Sequence, residues 1–284
     1  MRKTIFAAAA LLALSAMASA RTSTDLRKWN FSQDSISWKA VDVPHDWAIY
    51  GPFDRKHDLQ KVAVKQNGET EETWKTGRTG GLPYVGKGFY TTDFEIPDTT
   101  DRNYTLVFDG AMSNAHVYVN GKLATVWPYG YNTFHVDVTP LVRPGKNTVQ
   151  VSLENKPMSS RWYPGAGLYR NVHLISTDRV HIPVWGTQLT TPYVGKDYAT
   201  VHIANTIEGV KKGDKVTLAT EITAPDGKVV ASDTHEYKIY PGVTLPQNFK
   251  VENPELWSPE NPALYTATTK AVSYTHLTLP TILR

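Results

Sequence analysis

The 284-residue sequence contains no cysteine. That absence removes disulfides, thiol nucleophiles and thiolate metal sites together, so a fold must be held by its core alone. An excess of one charge is also missing. Lys and Arg total 30 and Asp and Glu 27, and they are scattered, whereas binding to a phosphate backbone or an anionic membrane surface needs clustered basic residues. Long apolar runs are absent but for one, Ile5 to Leu14, and about ten residues fall well short of the roughly 20 that span a bilayer. No segment carries a convincing amphipathic helical period.

The single apolar run follows basic Arg2 and Lys3 and ends in the small-residue site Ala18-Ser19-Ala20. These are the three parts of a secretory signal peptide, residues 1–20, with cleavage expected after Ala20 and a secreted or periplasmic location. Without Arg2 and Lys3 the basic count becomes 28 against 27 acids, a nearly neutral surface. The 264 residues that remain are enough for two sandwich-sized cores.

Aromatic residues, by contrast, are plentiful: 8 Trp, 15 Tyr and 8 Phe, many beside Gly, Pro or Asn. Rings in such loops either seal the ends of a core or stack on the apolar faces of sugars. From Gly88 the chain reads as short strands: Phe89 to Ile96, Tyr104 to Phe108, His116 to Val119, Lys122 to Trp127, Phe134 to Val138 and Thr148 to Leu153. Asn120-Gly121 between two of them predicts a type I′ hairpin, whose central residues both need φ > 0. This spacing predicts a sandwich or jelly roll. The polar stretch from Asp54 to Thr79 reads as a long loop with Gly68 and Gly77 near its turns. A second all-β unit begins near Arg179, with strands at Val201 to Asn205, Lys215 to Ala224 and Lys228 to Asp233, the last two joined at Asp226-Gly227. Three prolines between Asn253 and Pro262 exclude helix and central strand, and Leu264 to Lys270 reads as a returning strand.

Seven blocks, in order, together carry a resemblance. They are VDVPHDW (41–47), GKGFYTTDFEIP (86–97), FDGAMSNAHVYVNGKLATVW (108–127), GYNTFHVDVT (130–139), GKNTVQVSLEN (145–155), SSRWYPGAGLYRNV (159–172) and LWSPENPALY (256–265). From about residue 29 to 270 the chain resembles glycoside hydrolase family 2, the family of β-galactosidases, β-glucuronidases and β-mannosidases. The resemblance implies an all-β chain: a jelly-roll sugar-binding domain at 21–178, then an immunoglobulin-like sandwich at 179–270. A catalytic TIM barrel would follow, bearing two glutamates. Retaining glycosidases need an acid/base and a nucleophile about 5 Å apart, and in this family the acid/base Glu follows an Asn. No Asn-Glu dipeptide is present. Glu95, Asp109 and Glu154 fall in or at the ends of predicted strands, where edge or solvent-facing placement is expected.

In family members with a known glycone pocket, an Asp six residues before the Gly of the small-Gly-aliphatic-aromatic motif reaches the sugar. Here that motif is Ala166-Gly167-Leu168-Tyr169-Arg170 and the position holds Arg161. A guanidinium donates but cannot accept, so galactose recognition through this position changes character. Arg161 could face an acidic sugar or pair with a barrel carboxylate. Arg161, Trp162 and Tyr163 are candidates for a pocket rim, with docking onto the barrel as the structural alternative. His45, Asp46 and Trp47 are further substrate-binding candidates. Their structural alternative is Asp46 capping a turn and Trp47 packing at a domain junction. His45, Asp46 and His57 lack the spacing of a zinc or calcium loop, so no metal and no cofactor is expected.

After Lys270 the tail AVSYTHLTLPTILR resembles translated sequencing-adapter read-through, so residues 271–284 are expected to be non-native and the gene truncated. The leading expectation is the front part of a secreted, β-galactosidase-like retaining glycosidase, inactive alone. Its partners would be carbohydrate and the barrel of its own full-length form, which could self-associate; neither nucleic acid nor membrane is expected. Two alternatives stay open: a complete carbohydrate-binding protein without catalysis, and an adhesion-type β-sandwich whose aromatics serve protein contacts.

Overall fold

The computed structural model describes residues 21–76, 82–84, 86–97, 101–156, 164–240, 242–273 and 281–283. Residues 1–20, the expected signal peptide, lie outside them. Two compact units divide the chain, residues 23–175 and residues from 176 onward. The architecture is all-β, a jelly-roll sandwich followed by an immunoglobulin-like one, and the helical pieces among the described residues are short 3-10 turns.

Twelve strands belong to the first unit or begin in it. They are β1 (Thr22–Asp25), β2 (Lys28–Ser32), β3 (Lys39–Asp42), β4 (Gln60–Val62), β5 (Thr73–Lys75), β6 (Lys87–Ile96), β7 (Arg102–Phe108), β8 (Ala115–Val119), β9 (Lys122–Trp127), β10 (Phe134–Asp137), β11 (Gly145–Glu154) and β12 (Val172–Asp178). A six-stranded sheet runs β3-β2-β6-β11-β8-β9 and a four-stranded sheet runs β1-β12-β7-β10. Alternation aims one face of each inward: Val149, Val151 and Leu153 of β11 and Ala115, Val117 and Val119 of β8 are buried. Together with Trp29, Phe31, Tyr90, Phe108 and Phe134 they form one continuous core. The hairpin between β8 and β9 turns at Asn120 (φ 50) and Gly121 (φ 78), and both residues take the left-handed conformation that a type I′ turn requires.

The stretch expected as a long loop is structured instead. Arg55–Asp58 and Lys65–Asn67 form 3-10 turns, and β4 pairs with β5 as a small hairpin. Local polar groups hold it: the Asp54 carboxylate accepts the Lys56 amide at 2.9 Å, and Glu69 accepts from both the Val64 amide and Lys75 Nζ at 2.8 Å. Hydrophobic periodicity is blind to such bonds.

The second unit contains β13 (Thr187–Val194), β14 (Tyr198–Asn205), β15 (Lys215–Thr223), β16 (Val229–Lys238), β17 (Leu245–Glu252), β18 (Thr266–Ser273) and β19 (Thr281–Leu283). Three strands in the order β13-β14-β17 make one sheet and four in the order β16-β15-β18-β19 the other. The hairpin joining β15 to β16 turns through Asp226-Gly227 as expected. The Ala224 amide bonds the Lys228 carbonyl, three residues intervene, and of these Gly227 alone has positive φ, at 86°. Pro225 explains the three-residue loop, because its ring fixes a negative φ and sets up a type I turn that needs one more residue to close.

Candidate functional site

Residues 43–47 and 166–168 lie side by side. The His45 amide donates to the Leu168 carbonyl at 2.7 Å and the Trp47 amide to the Ala166 carbonyl at 3.1 Å. Asp46 caps the 3-10 turn Trp47–Tyr50, its Oδ1 accepting the Ala48 amide at 3.0 Å. That capping fixes the carboxylate beside Gly165, whose missing Cβ would sit 3.8 Å from Asp46 Oδ2.

His45 and Trp47 face inward. Trp47 is 1% exposed, its indole N–H donating to the Tyr84 carbonyl at 3.1 Å and its ring stacked on Phe31 at 5.7 Å. Both faces are committed to the core, so Trp47 offers no platform to a ligand. His45 Nδ1 lies 2.7 Å from the Tyr90 hydroxyl. Burial first, then the charge of Lys39, pushes the imidazole pKa down to about 4, so the ring is neutral at ordinary pH. The Tyr90 phenol is pushed well above its usual value, by burial first and by Asp46 as well. The hydroxyl also lies 3.5 Å from the His45 carbonyl oxygen, so ring and backbone of His45 both hold the phenol.

Two glycines make this packing sterically feasible. A Cβ on Gly88 would lie 2.7 Å from Trp47 Cε3, inside the ring's van der Waals envelope. Gly167, at φ 113, would place its Cβ 2.5 Å from the His45 carbonyl oxygen and against the Tyr90 hydroxyl. Stretches far apart in sequence, 43–47, 86–97 and 164–172, thus converge on one knot of rings and glycines.

Arg161, Trp162 and Tyr163 lie outside the described residues, but the flanks of their segment do not. Asn155 is buried, its amide donating to the Gly86 carbonyl at 2.8 Å and its Nδ2 to the Gly165 carbonyl at 2.9 Å. The two flanks, Asn155 and Gly165, are thus tied to each other, and Gly165 lies beside Asp46. Sequence reasoning missed Tyr50, which is 72% exposed and stacks against His45 with ring centroids 6.1 Å apart. Its signal was an aromatic residue just before Gly51-Pro52, outside any strand pattern.

The carboxylates considered for catalysis do not pair. Glu154 lies opposite Lys87 and Glu95 opposite Lys146 on β6 and β11, eight residues apart along the ladder. At about 3.3 Å per residue that separates them by roughly 26 Å, against about 5 Å for a retaining pair. Asp109 is engaged elsewhere, 3.1 Å from His173 Nε2. Among the described residues no group of three or more His, Asp or Glu is placed to hold a metal ion. No helix among them is long and apolar enough to cross a membrane.

Comparison with known proteins matches residues 82–163 to the glycosyl hydrolase 2 galactose-binding domain-like family and residues 180–276 to glycosyl hydrolases family 2. A β-galactosidase of Bacteroides ovatus is 32% identical over 243 residues, covering 83% of this chain and 26% of that protein. A β-glucuronidase of Formosa agariphila is 26% identical over 264 residues, covering 83% of this chain and 25% of that protein. Among solved structures, a glycosyl hydrolase family 2 member from Bacteroides cellulosilyticus superposes with a TM-score of 0.77 at 27% identity, over 93% of this chain and 35% of that one. The chain spans about a quarter of the length of the curated relatives it matches.

Proposed function

The chain belongs to glycosyl hydrolase family 2, and we propose that it forms the sugar-side, non-catalytic part of an exported retaining β-glycosidase, β-galactosidase-like in substrate. The observation that carries this reading is the convergence at Asp46. A capped carboxylate stands beside Gly165, which Asn155 Nδ2 bonds at the flank of the segment bearing Arg161-Trp162-Tyr163, and the exposed Tyr50 stacks on the neighbouring His45. On this reading Asp46 and Arg161 contact glycone hydroxyls, and the ring of Tyr50, Trp162 or Tyr163 covers an apolar sugar face. The two carboxylates that break the glycosidic bond come from a barrel following these domains in the full-length protein. Residues 1–20 direct export, and the mature chain begins at Arg21.

The test uses the full-length gene product and the 284-residue chain side by side, with nitrophenyl β-galactoside and β-glucuronide as probes. The full-length protein is expected to cleave the galactoside preferentially, and the 284-residue chain to cleave neither. Arg161→Ala and Asp46→Asn in the full-length protein are expected to raise KM about tenfold or more. Preference for the glucuronide would reassign the substrate and make Arg161 a carboxylate contact. Turnover by the 284-residue chain would overturn the non-catalytic reading, and saturable binding with no turnover by either protein would favour a stand-alone binding protein. N-terminal sequencing of the exported protein checks the leader.

A further inference from the structure

The outer face of the β13-β14-β17 sheet carries a groove with no part in the site above. Its volume is about 360 Å³, within the roughly 300–1,000 Å³ of small-molecule sites, and Thr200, His202, Asn248 and Lys250 are among its lining residues. Antiparallel register explains how they share one face: Thr200 lies opposite Lys250 and His202 opposite Asn248, while the intervening Val201 and Phe249 turn to the core. At the edge of the sheet the β13–β14 register shifts between Thr190 and Tyr193, around Pro192. The bulge carries Tyr193 over the face, where its ring packs on Tyr198 with centroids 4.6 Å apart.

The chemistry of this face is specific. His202 Nδ1 and Asn248 Oδ1 are 2.7 Å apart, so the imidazole carries its proton on Nδ1 and presents Nε2 as an acceptor, while Asn248 Nδ2 remains a donor. A fixed donor beside a fixed acceptor suits vicinal hydroxyls, each of which donates and accepts. Tyr193, 48% exposed, stands opposite Thr200 at the edge of the groove and supplies a flat apolar face there. Lys250, the cation among the described residues that line the groove, lies over the Tyr198 ring and is neutralised by Glu252 at 2.7 Å. A hydroxyl-rich, uncharged ligand with an apolar ring face fits this set, and an anion does not. We propose that this groove is a second carbohydrate-binding site, which takes a neutral hexose unit of an oligosaccharide, with Tyr193 as the stacking platform and the His202–Asn248 pair as the hydroxyl reader. The inference rests on the groove alone and not on the family reading.

The experiment titrates the 284-residue chain with β-1,4-linked galactohexaose, followed by amide NMR shifts and calorimetry, with an oligogalacturonate of equal length as the acidic probe. Saturable binding of the neutral probe is expected, with shifts confined to β13, β14 and β17, and with affinity about tenfold weaker in both Tyr193→Ala and Asn248→Ala. Tyr193→Phe should retain it, because the ring face does the work. Thermal melts of the three variants separate lost binding from lost folding, and Asn248→Ala, on the exposed face, decides if Tyr193→Ala melts early. Binding of the acidic probe alone, no binding of the neutral probe, or binding unchanged in both alanine variants would each overturn the proposal. Shifts at Tyr50 and Asp46 instead would assign the sugar to the first unit and overturn it too.

Discussion

The two sandwiches solve the same packing problem in opposite ways. In the first unit one continuous apolar core is built on rings: Trp29, Phe31, Trp47, Tyr90, Phe108 and Phe134 are all nearly or fully buried. In the second unit the core is cut in two. One cluster holds Val216, Leu218, Leu245 and Ala271, the other Ile203, Ile222, Phe249, Val251 and Ala267. The cut falls at the same level in three strands, at Thr220 of β15, Gln247 of β17 and Thr269 of β18. Thr220 Oγ1 donates to Gln247 Oε1 at 2.6 Å and lies 2.8 Å from Thr269 Oγ1, while Gln247 Nε2 donates to Asp233 Oδ2 at 3.0 Å. A two-residue slip of any of these strands would keep the apolar face inward yet leave a buried polar group without its partner. The polar layer therefore specifies register, where the first unit specifies it by ring shape and glycine.

Five variants sharpen or break this contrast. The largest effect is expected from Phe31→Ala, which removes the ring packed on Trp47, His45 and Tyr90. A loss of about 3–5 kcal/mol is expected in denaturant unfolding followed by tryptophan fluorescence. A loss below about 1 kcal/mol would mean that the rings are not the first unit's main support. Next comes Gly167→Ala, which combines an unfavourable φ with overlap at Tyr90 and His45. About 3 kcal/mol is expected, and amide exchange should open in the first unit while the second stays protected.

In the second unit Gln247→Ala removes the acceptor of buried Thr220 Oγ1, which keeps Thr269 as its partner, and a donor to exposed Asp233, with an expected cost of about 1–3 kcal/mol. The triple replacement Gln247→Leu, Thr220→Val and Thr269→Val should be close to neutral in stability. If polarity supplies register, that triple variant should show doubled amide resonances. A single sharp set would remove that role from the layer.

The smallest effects concern pH and belong to the first unit. His45 is held below its usual pKa, at about 4, so the folded state binds fewer protons than the unfolded chain between about pH 6.5 and 4. Stability contributed by neutral His45 should fall as pH drops through that window. His173 behaves oppositely. Burial works against its charge, but Asp109 and Asp25, at 3.1 and 2.7 Å, outweigh it and raise the pKa. Its contribution is therefore full below about pH 6.5 and is lost as pH rises through the folded value. Melting curves of His173→Gln across pH 5–8 should lose that rising-pH decline, whereas the second unit's transition should be unaffected.

Local chemistry made much of the fold legible. Strands β6 to β11 follow from alternation, and the Asn120-Gly121 turn follows from the need for positive φ, which the structure bears out at both residues. Pro225 was in plain view, yet its effect on the following turn needed the register of both strands to be seen. Of the site, Asp46 as a turn cap was readable from its position before an aromatic, whereas the burial of Trp47 was not. That burial depends on Gly88 and Gly167, which no local window connects with it. Tyr50 and the face made by Tyr193, His202 and Asn248 were hidden for the same reason: exposure and shared facing are properties of neighbours.

By itself, then, the sequence determined an all-β chain, its turn positions, its want of any disulfide or thiol chemistry and, through seven ordered blocks, its family. Those features rest on backbone sterics, side-chain alternation and residue identity, each of which acts within a few residues. Only the tertiary structure decided which rings are core and which are surface, and which carboxylates stand together. It also decided where a polar layer divides a core. Burial and electrostatic environment are set by groups tens to more than a hundred residues away, as when Gly167 closes over His45 and Trp47.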